Sequence, residues 1–235
     1  MIKIEHLDKA YNKNQVLKDI NIKLDSNKII AILGPNGSGK TTLIKSILGL
    51  VIPQKGNIIF NDQSIIGKWD YRKHISYLPQ IARFPENLKV SELINLVKDI
   101  RGNEADDTSL IQYFGLENEL KKPLRNLSGG TRQKVNMVLT FMLDSPVIIL
   151  DEPTVGLDPV AISRFKELLE REKAKGKLIL FTTHIMNLVQ EIADEIIFLL
   201  EGNIFFQGSV QELINQNGSG KLESAITKLI ENSNA

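Results

Sequence analysis

The chain has 235 residues, of which 42% are hydrophobic and 24% charged, which suits one α/β domain with a sizeable core and excludes extensive disorder. The formal net charge is +1, so no nucleic-acid partner is expected, and the absence of cysteine excludes disulfides, a thiolate metal site and a cysteine nucleophile. Met1-Ile2-Lys3-Ile4-Glu5 predicts no signal peptide, and the longest apolar runs are far too short to cross a bilayer, so any channel is expected on another chain.

Apolar residues alternate in Ile2-Lys3-Ile4 and in Ile20-Asn21-Ile22-Lys23-Leu24, predicting half-buried strands. Lys28 to Leu33 is a continuous apolar run ending at glycine, as a central strand requires. A helix is predicted from Thr41 to Leu50, and strands over Asn57–Phe60 and Ile75–Leu78. The stretch from about Phe84 to Asn126 reads as a helical insertion. Ser91 is expected to cap its first helix, through Leu93, Leu96, Val97 and Ile100. A polar stretch, Gly102 to Thr108, separates this from a second helix stopping near Gly115. Beyond it come a strand at Val147–Leu150, an amphipathic helix at Ile162–Lys175 stopped by Gly176, a strand at Leu178–Thr182 and a helix from Ile185 to about Ala193. Glu195–Leu200 and Ile204–Phe206 flank a hairpin turn at Glu201-Gly202-Asn203. The tail is expected to break at Asn217-Gly218-Ser219-Gly220 and to end in a helix whose Leu222, Ile226, Leu229 and Ile230 dock on the domain itself. Alternating strands and helices imply an α/β fold with a mainly parallel sheet covered on both faces.

Gly34-Pro35-Asn36-Gly37-Ser38-Gly39-Lys40-Thr41-Thr42 lies between the apolar strand and a helix and fits the phosphate-loop pattern. Glycines let backbone N–H groups wrap close to phosphate, and the following helix adds the positive end of its dipole. Lys40 can reach the β- and γ-phosphates of a nucleotide, and Thr41 can place its hydroxyl on Mg²⁺. Gly218-Ser219-Gly220-Lys221 is a decoy. Asn215 stands where the first glycine belongs, Leu222 where the hydroxyl belongs, and no strand precedes it. Val147 to Leu150 ends in Asp151-Glu152. Two carboxylates at a strand end beside a phosphate loop suit metal binding by Asp151 and a general-base or water-positioning role for Glu152. These features leave kinase, GTPase and motor ATPase open.

Leu127-Ser128-Gly129-Gly130 narrows the choice. A serine cap and two glycines at a helix start form a second anion cradle, and one chain needs only one for its own nucleotide. This segment resembles the signature of ABC ATPases. In chain order the resemblance takes in Tyr11, the phosphate loop, Gln80, the signature, Asp151-Glu152, Gly156-Leu157-Asp158 and His184. It implies a phosphate-loop NTPase core with an N-terminal antiparallel β subdomain, spanning 1–80 and 127–206. A helical signature subdomain at 81–126 and a C-terminal tail at 207–235 complete the expected domain.

The resemblance further implies an ATP- and Mg²⁺-dependent ATPase that drives transport through a separate integral membrane subunit. Two cassettes, most simply two copies of this chain, would face head to tail at the inner face of the cell membrane. Each ATP would lie between one phosphate loop and the other chain's Ser128, Gly129 and Gly130. Tyr11 would stack on adenine, Gln80 would touch Mg²⁺ or the attacking water, Asp158 would sit at the dimer seam, and His184 would contact the γ-phosphate. Thr131 departs from the glutamine usual after the two glycines, and Asn27-Lys28 from the usual Gly-Glu.

The motif wording is most similar to ABC-2 exporter cassettes, and within them to those linked to copper supply for nitrous oxide reductase maturation. The rivals are a soluble ABC ATPase of ribosomes, DNA or iron–sulfur assembly, and a phosphate-loop GTPase or kinase. A single cassette without a long coiled coil argues against ribosomal and DNA-repair types. Asn12-Lys13-Asn14-Gln15 lacks the acid of a guanine reader.

Overall fold

The computed structural model describes residues 1–101, 105–216 and 220–233. In chain order the elements are β1 (Ile2–Tyr11), β2 (Asn14–Leu24), β3 (Lys28–Leu33), α1 (Lys40–Ile47), β4 (Lys55–Phe60), β5 (Gln63–Ser64) and β6 (Ile75–Leu78). They continue with α2 (Val90–Arg101), α3 (Asp107–Phe114), α4 (Gly129–Phe141), β7 (Val147–Asp151), α5 (Pro159–Ala174), β8 (Leu178–Thr182) and α6 (Met186–Ile192). The last four are β9 (Glu195–Leu200), β10 (Asn203–Ser209), α7 (Val210–Gln216) and α8 (Leu222–Ser233).

Two sheets form. An antiparallel one has the order β2-β1-β4-β5, and a second has the order β10-β9-β3-β8-β7-β6. Within the second, β9, β3, β8, β7 and β6 run parallel, and β10 closes one edge as an antiparallel hairpin with β9. The hairpin turn places Glu201 and Gly202 at φ 49 and 83, the paired positive values of a tight two-residue turn.

Strand alternation divides the core. Ile29, Ala31 and Leu33 of β3 face one side with Ile148, Leu150, Ile179 and Phe181, against α4, α5, α6 and the tail helices. Ile30 and Ile32 face the other side with Val147, Ile149, Leu178 and Leu180, against α1 and the antiparallel sheet. Successive residues of a strand point to opposite faces, so a strand covered on both sides reads as the unbroken apolar run seen in the sequence.

Four adjacent strands end together at the carboxyl edge. Ile32 pairs with Thr182, and Thr182 with Asp151, while Leu78 pairs with Leu150. The loops that follow Leu33, Thr182, Asp151 and Leu78 therefore emerge side by side, which is where parallel α/β sheets bind ligands.

Several boundaries differ from the sequence reading. Helix α1 stops at Ile47, and Gly49 turns the chain out at φ 65. Ser91 does not cap α2. The helix starts one residue earlier, and the Lys89 N–H is held instead by Glu92 Oε2 at 2.9 Å, a carboxylate reaching back over the first turn. Helix α5 starts at Pro159 rather than Ile162, because Asp158 Oδ1 accepts from the Ala161 N–H at 2.8 Å and proline suits the first helical position. The second insertion helix does stop at Gly115, which adopts φ 66. Leu222 and Ala225 of α8 are buried, and Ile226, Leu229 and Ile230 pack on the core beside them. Of the expected polar break from Gly102 to Thr108, residues 102–104 fall outside the described residues, and α3 already begins at Asp107 because Asp106 Oδ1 accepts from the Ser109 N–H at 3.3 Å. Of the expected tail break and decoy loop, 217–219 fall outside the described residues.

Candidate functional site

The phosphate loop joins β3 to α1. Its backbone is built for close approach: Gly34, Gly37 and Gly39 adopt φ 144, 82 and 110. A Cβ on Gly34 would lie 2.1 Å from the Leu199 carbonyl oxygen, and one on Gly39 2.7 Å from the Val16 carbonyl oxygen. Glycine is thus demanded twice, by backbone conformation and by the neighbouring strands. No side chain caps the start of α1, so its first N–H groups are available to an anion. Lys40 Nζ donates to the carbonyls of Gly34 at 2.7 Å and Pro35 at 3.0 Å, folding the ammonium over the loop. Burial lowers the Lys40 pKa, while the nearby charges of Glu152 and Asp151 oppose that shift.

At the end of β7, Asp151 and Glu152 are both buried. Glu152 takes φ 51, a left-handed conformation that costs a non-glycine residue about 1–2 kcal/mol. Thr182 at the end of β8 binds both residues. Its hydroxyl donates to Asp151 Oδ1 at 2.5 Å and accepts from the Glu152 N–H at 3.1 Å. Burial raises the Glu152 pKa, His184 opposes the rise, and Asp151 adds to it. The Tyr77 hydroxyl is pushed up to about 12 by burial and by the Asp151 charge.

These groups share one cleft of about 400 Å³, lined by Tyr11, Asn36 through Thr42, Gln80, Asp151, Glu152 and His184, together with Asn14, Val16 and Thr182. Tyr11 is 46% exposed, with the Lys9 ammonium 5.1 Å from its ring centre. Part of its ring is thus open to solvent at the rim of the cleft. Gly34 and Pro35 shape the loop from behind through their carbonyls. The cleft brings together the predicted phosphate-loop, acidic, glutamine, histidine and aromatic residues. It does not include Ser128, Gly129, Gly130 or Asp158.

Those four sit together elsewhere. Ser128 caps α4, its Oγ accepting from the Thr131 N–H at 3.2 Å. A Cβ on Gly130 would lie 2.5 Å from the Gly156 carbonyl oxygen, so this turn packs directly on the Gly156-Leu157-Asp158 loop. Asp158 caps α5 through Oδ1 and pairs with Lys134 through Oδ2 at 2.7 Å.

The ABC transporter family model matches residues 17–155, more than half of the chain. The lantibiotic transport ATP-binding protein SrtF of Streptococcus pyogenes is 34% identical over 222 residues, covering 92% of this chain and 96% of that protein. A solved ATP-binding subunit of an ABC transporter superposes with TM-score 0.91 at 30% identity, covering 98% of this chain and 99% of the other.

The chain belongs to the ABC transporter ATP-binding family.

It is an ATP-binding and ATP-hydrolysing subunit of an ABC transporter. The dimeric structure of a bacterial ABC transporter cassette shares the fold, with TM-score 0.81 over 89% of this chain. Among the described residues of the cassette, no helix is long and apolar enough to cross a membrane.

The donor set fits a nucleotide triphosphate. The loop glycines hold the backbone in left-handed conformations at the cleft wall, and Ser38 Oγ is buried there without a hydrogen-bond partner. Among the described residues no cluster of three or more His, Cys, Asp or Glu could hold a metal by itself. A hard cation here would take Thr41, Gln80 and Asp151 oxygens together with phosphate oxygens, which is how Mg²⁺ is commonly held beside nucleotides. Sequence reasoning missed Thr182, Asn14 and Val16. The Thr182-Thr183 pair at a strand end marked the position, but its bonds to Asp151 and Glu152 depend on the pairing of β7 with β8. Asn14 and Val16 reach the cleft only because β2 folds back beside β1 next to Tyr11.

Proposed function

We propose that the cassette works as a dimer of two copies, each ATP held between the phosphate loop of one and the Ser128–Gly130 turn of the other. The observation that carries this reading is the separation of the two anion cradles. Ser128, Gly129, Gly130 and Asp158 lie outside the cleft that the other predicted residues line, so each chain offers its second cradle outward. Ser128 and Gly129 are exposed, as a surface that meets a second molecule must be.

In this arrangement Lys40 and the loop N–H groups hold the β- and γ-phosphates, and Tyr11 stacks on adenine. Thr41, Asp151 and Gln80 would hold Mg²⁺, which when bound neutralises phosphate charge. Glu152 orients a water and takes its proton as the water oxygen attacks the γ-phosphorus. The bond to the bridging oxygen breaks, leaving ADP and inorganic phosphate. His184 Nε2 lies 3.2 Å from Glu152 Oε1; in this reading it steadies that carboxylate and contacts the γ-phosphate. ATP closes the two cassettes, and loss of the γ-phosphate removes the link between them.

The helical insertion, residues 81–126, is the part we assign to docking a membrane subunit at the inner face of the cell membrane. It borders a largely apolar groove of about 350 Å³ lined by Leu48, Leu50, Tyr77, Phe84, Val97 and Leu139 among others. The resemblance to ABC-2 exporter cassettes favours export, with the substrate chosen by the membrane subunit.

Glu152→Gln tests the reading. The variant is expected to bind ATP with Mg²⁺, lose turnover by two orders of magnitude or more, and form a stable dimer on a sizing column with light scattering. Wild-type turnover in the variant, or a strictly monomeric variant at high concentration with ATP, would refute the proposal.

A further inference from the structure

Resting on the dimer reading above, we infer that Gln133 and Lys134 are positioning residues. They fasten the cradle a chain offers to its partner onto the loop that follows its own acidic pair. Three contacts support this, all between the first two turns of α4 and the segment Pro153–Asp158. Gln133 is buried, and its Nε2 donates to the Pro153 carbonyl at 2.8 Å. Lys134 Nζ pairs with Asp158 Oδ2 at 2.7 Å. Gly130 lies so close to the Gly156 carbonyl that no Cβ would fit between them.

The Gln133 amide is itself fixed, because its Oε1 accepts from Asn136 Nδ2 at 3.3 Å within α4. With its oxygen engaged, the amide must present its N–H₂ to Pro153, the residue directly after Glu152. Asp158 is fixed in the same way, since its other oxygen caps α5. The segment between Glu152 and α5 therefore has an anchor on α4 at each end. A small rotation of α4 that moves Ser128 toward a partner's nucleotide must pull on Pro153 and Asp158, and through Pro153 on Glu152. Each chain would then align its own water-positioning carboxylate only as its outward cradle engages. That links the two composite sites through bonded groups, without a long relay.

The test separates this coupling from plain folding and from the dimer reading. Lys134→Met removes the charge and keeps the stem, Lys134→Arg keeps the pairing, and Gln133→Glu replaces the donor toward Pro153 with an acceptor at the same shape. Nucleotide binding to the single cassette is measured with a fluorescent ATP analogue, turnover as a function of ATP gives kcat, KM and the Hill coefficient, and thermal melting reports folding. Lys134→Met and Gln133→Glu are expected to bind the analogue like wild type, to lose about tenfold in kcat and to show a lower Hill coefficient, while Lys134→Arg restores both.

Wild-type kcat and Hill coefficient in both loss variants would overturn the inference. So would a loss of turnover matched by lost analogue binding or a collapsed melting transition, which marks a structural role. Failure of the dimer reading has a different signature: Glu152→Gln, with Gln133 and Lys134 intact, stays monomeric in ATP.

Discussion

His184 Nε2 lies 3.2 Å from Glu152 Oε1, and the two stand in opposite surroundings: the Glu152 side chain is 10% exposed and that of His184 59%. A buried carboxylate has thus been given one partner at the cleft mouth. Burial still prevails, and the Glu152 pKa is raised from its ordinary value of 4.5.

The raised Glu152 pKa has a sign for stability. Between 4.5 and its folded-state value, the folded chain binds this proton more tightly than the unfolded chain. Stability therefore falls as pH rises through that window, and the buried charge remains a penalty above it. Glu152→Gln removes the penalty. Scanning calorimetry at pH 7 is expected to show a higher Tm than wild type, by about 2–4 °C for each kcal/mol relieved in a domain of this size. The difference should close below pH 4.5. Equal Tm values across the whole range would show that burial of this carboxylate costs nothing.

Thr182→Val keeps the shape and deletes the hydroxyl that binds Asp151 and the Glu152 N–H. The loss of two buried hydrogen bonds should lower stability by about 1–3 kcal/mol in urea unfolding. Turnover is expected to drop about tenfold or more as the acidic pair loses its alignment. Thr182→Ser should retain most of both. A valine variant with wild-type kcat would show that the hydroxyl only packs.

Gly130→Ala places a methyl group 2.5 Å from the Gly156 carbonyl oxygen. Backbone faces it, so the turn must shift as a unit. ATP binding to the isolated cassette is expected to survive, because the cleft lies elsewhere, while ATP-dependent association of a Glu152→Gln background should fall severalfold. Unchanged association would mean that the exact position of the turn does not matter.

Tyr11→Leu removes the exposed ring at the cleft rim; on the proposed reading this ring stacks on adenine, a contact of about 1–3 kcal/mol. The KM for ATP should rise by about tenfold with kcat nearly unchanged, and Tyr11→Phe should restore it. A kcat effect without a KM effect would place Tyr11 outside the base contact.

The sequence alone determined the features that are local. Gly34 to Thr42, the unbroken run before Gly34, the Asp151-Glu152 strand end and the Ser128 cap each announce themselves, because backbone freedom, burial on both faces and helix capping act over a few residues. Asp158 before Pro159 also reads by itself as a helix cap, and it is one, starting α5 at Pro159, three residues ahead of the apolar period from Ile162. Tertiary structure decided what depends on partners distant in sequence. Register between β7 and β8 set Thr182 between Asp151 and Glu152, and the fold-back of β2 brought Val16 to the phosphate loop. The Glu92 carboxylate displaced Ser91 as the group that closes α2. The close approach of Gly130 to the Gly156 carbonyl set the Ser128–Gly130 turn against the loop after the acidic pair, outside the cleft. No period or motif encodes these, since each is a distance between elements that is fixed only when the whole core closes.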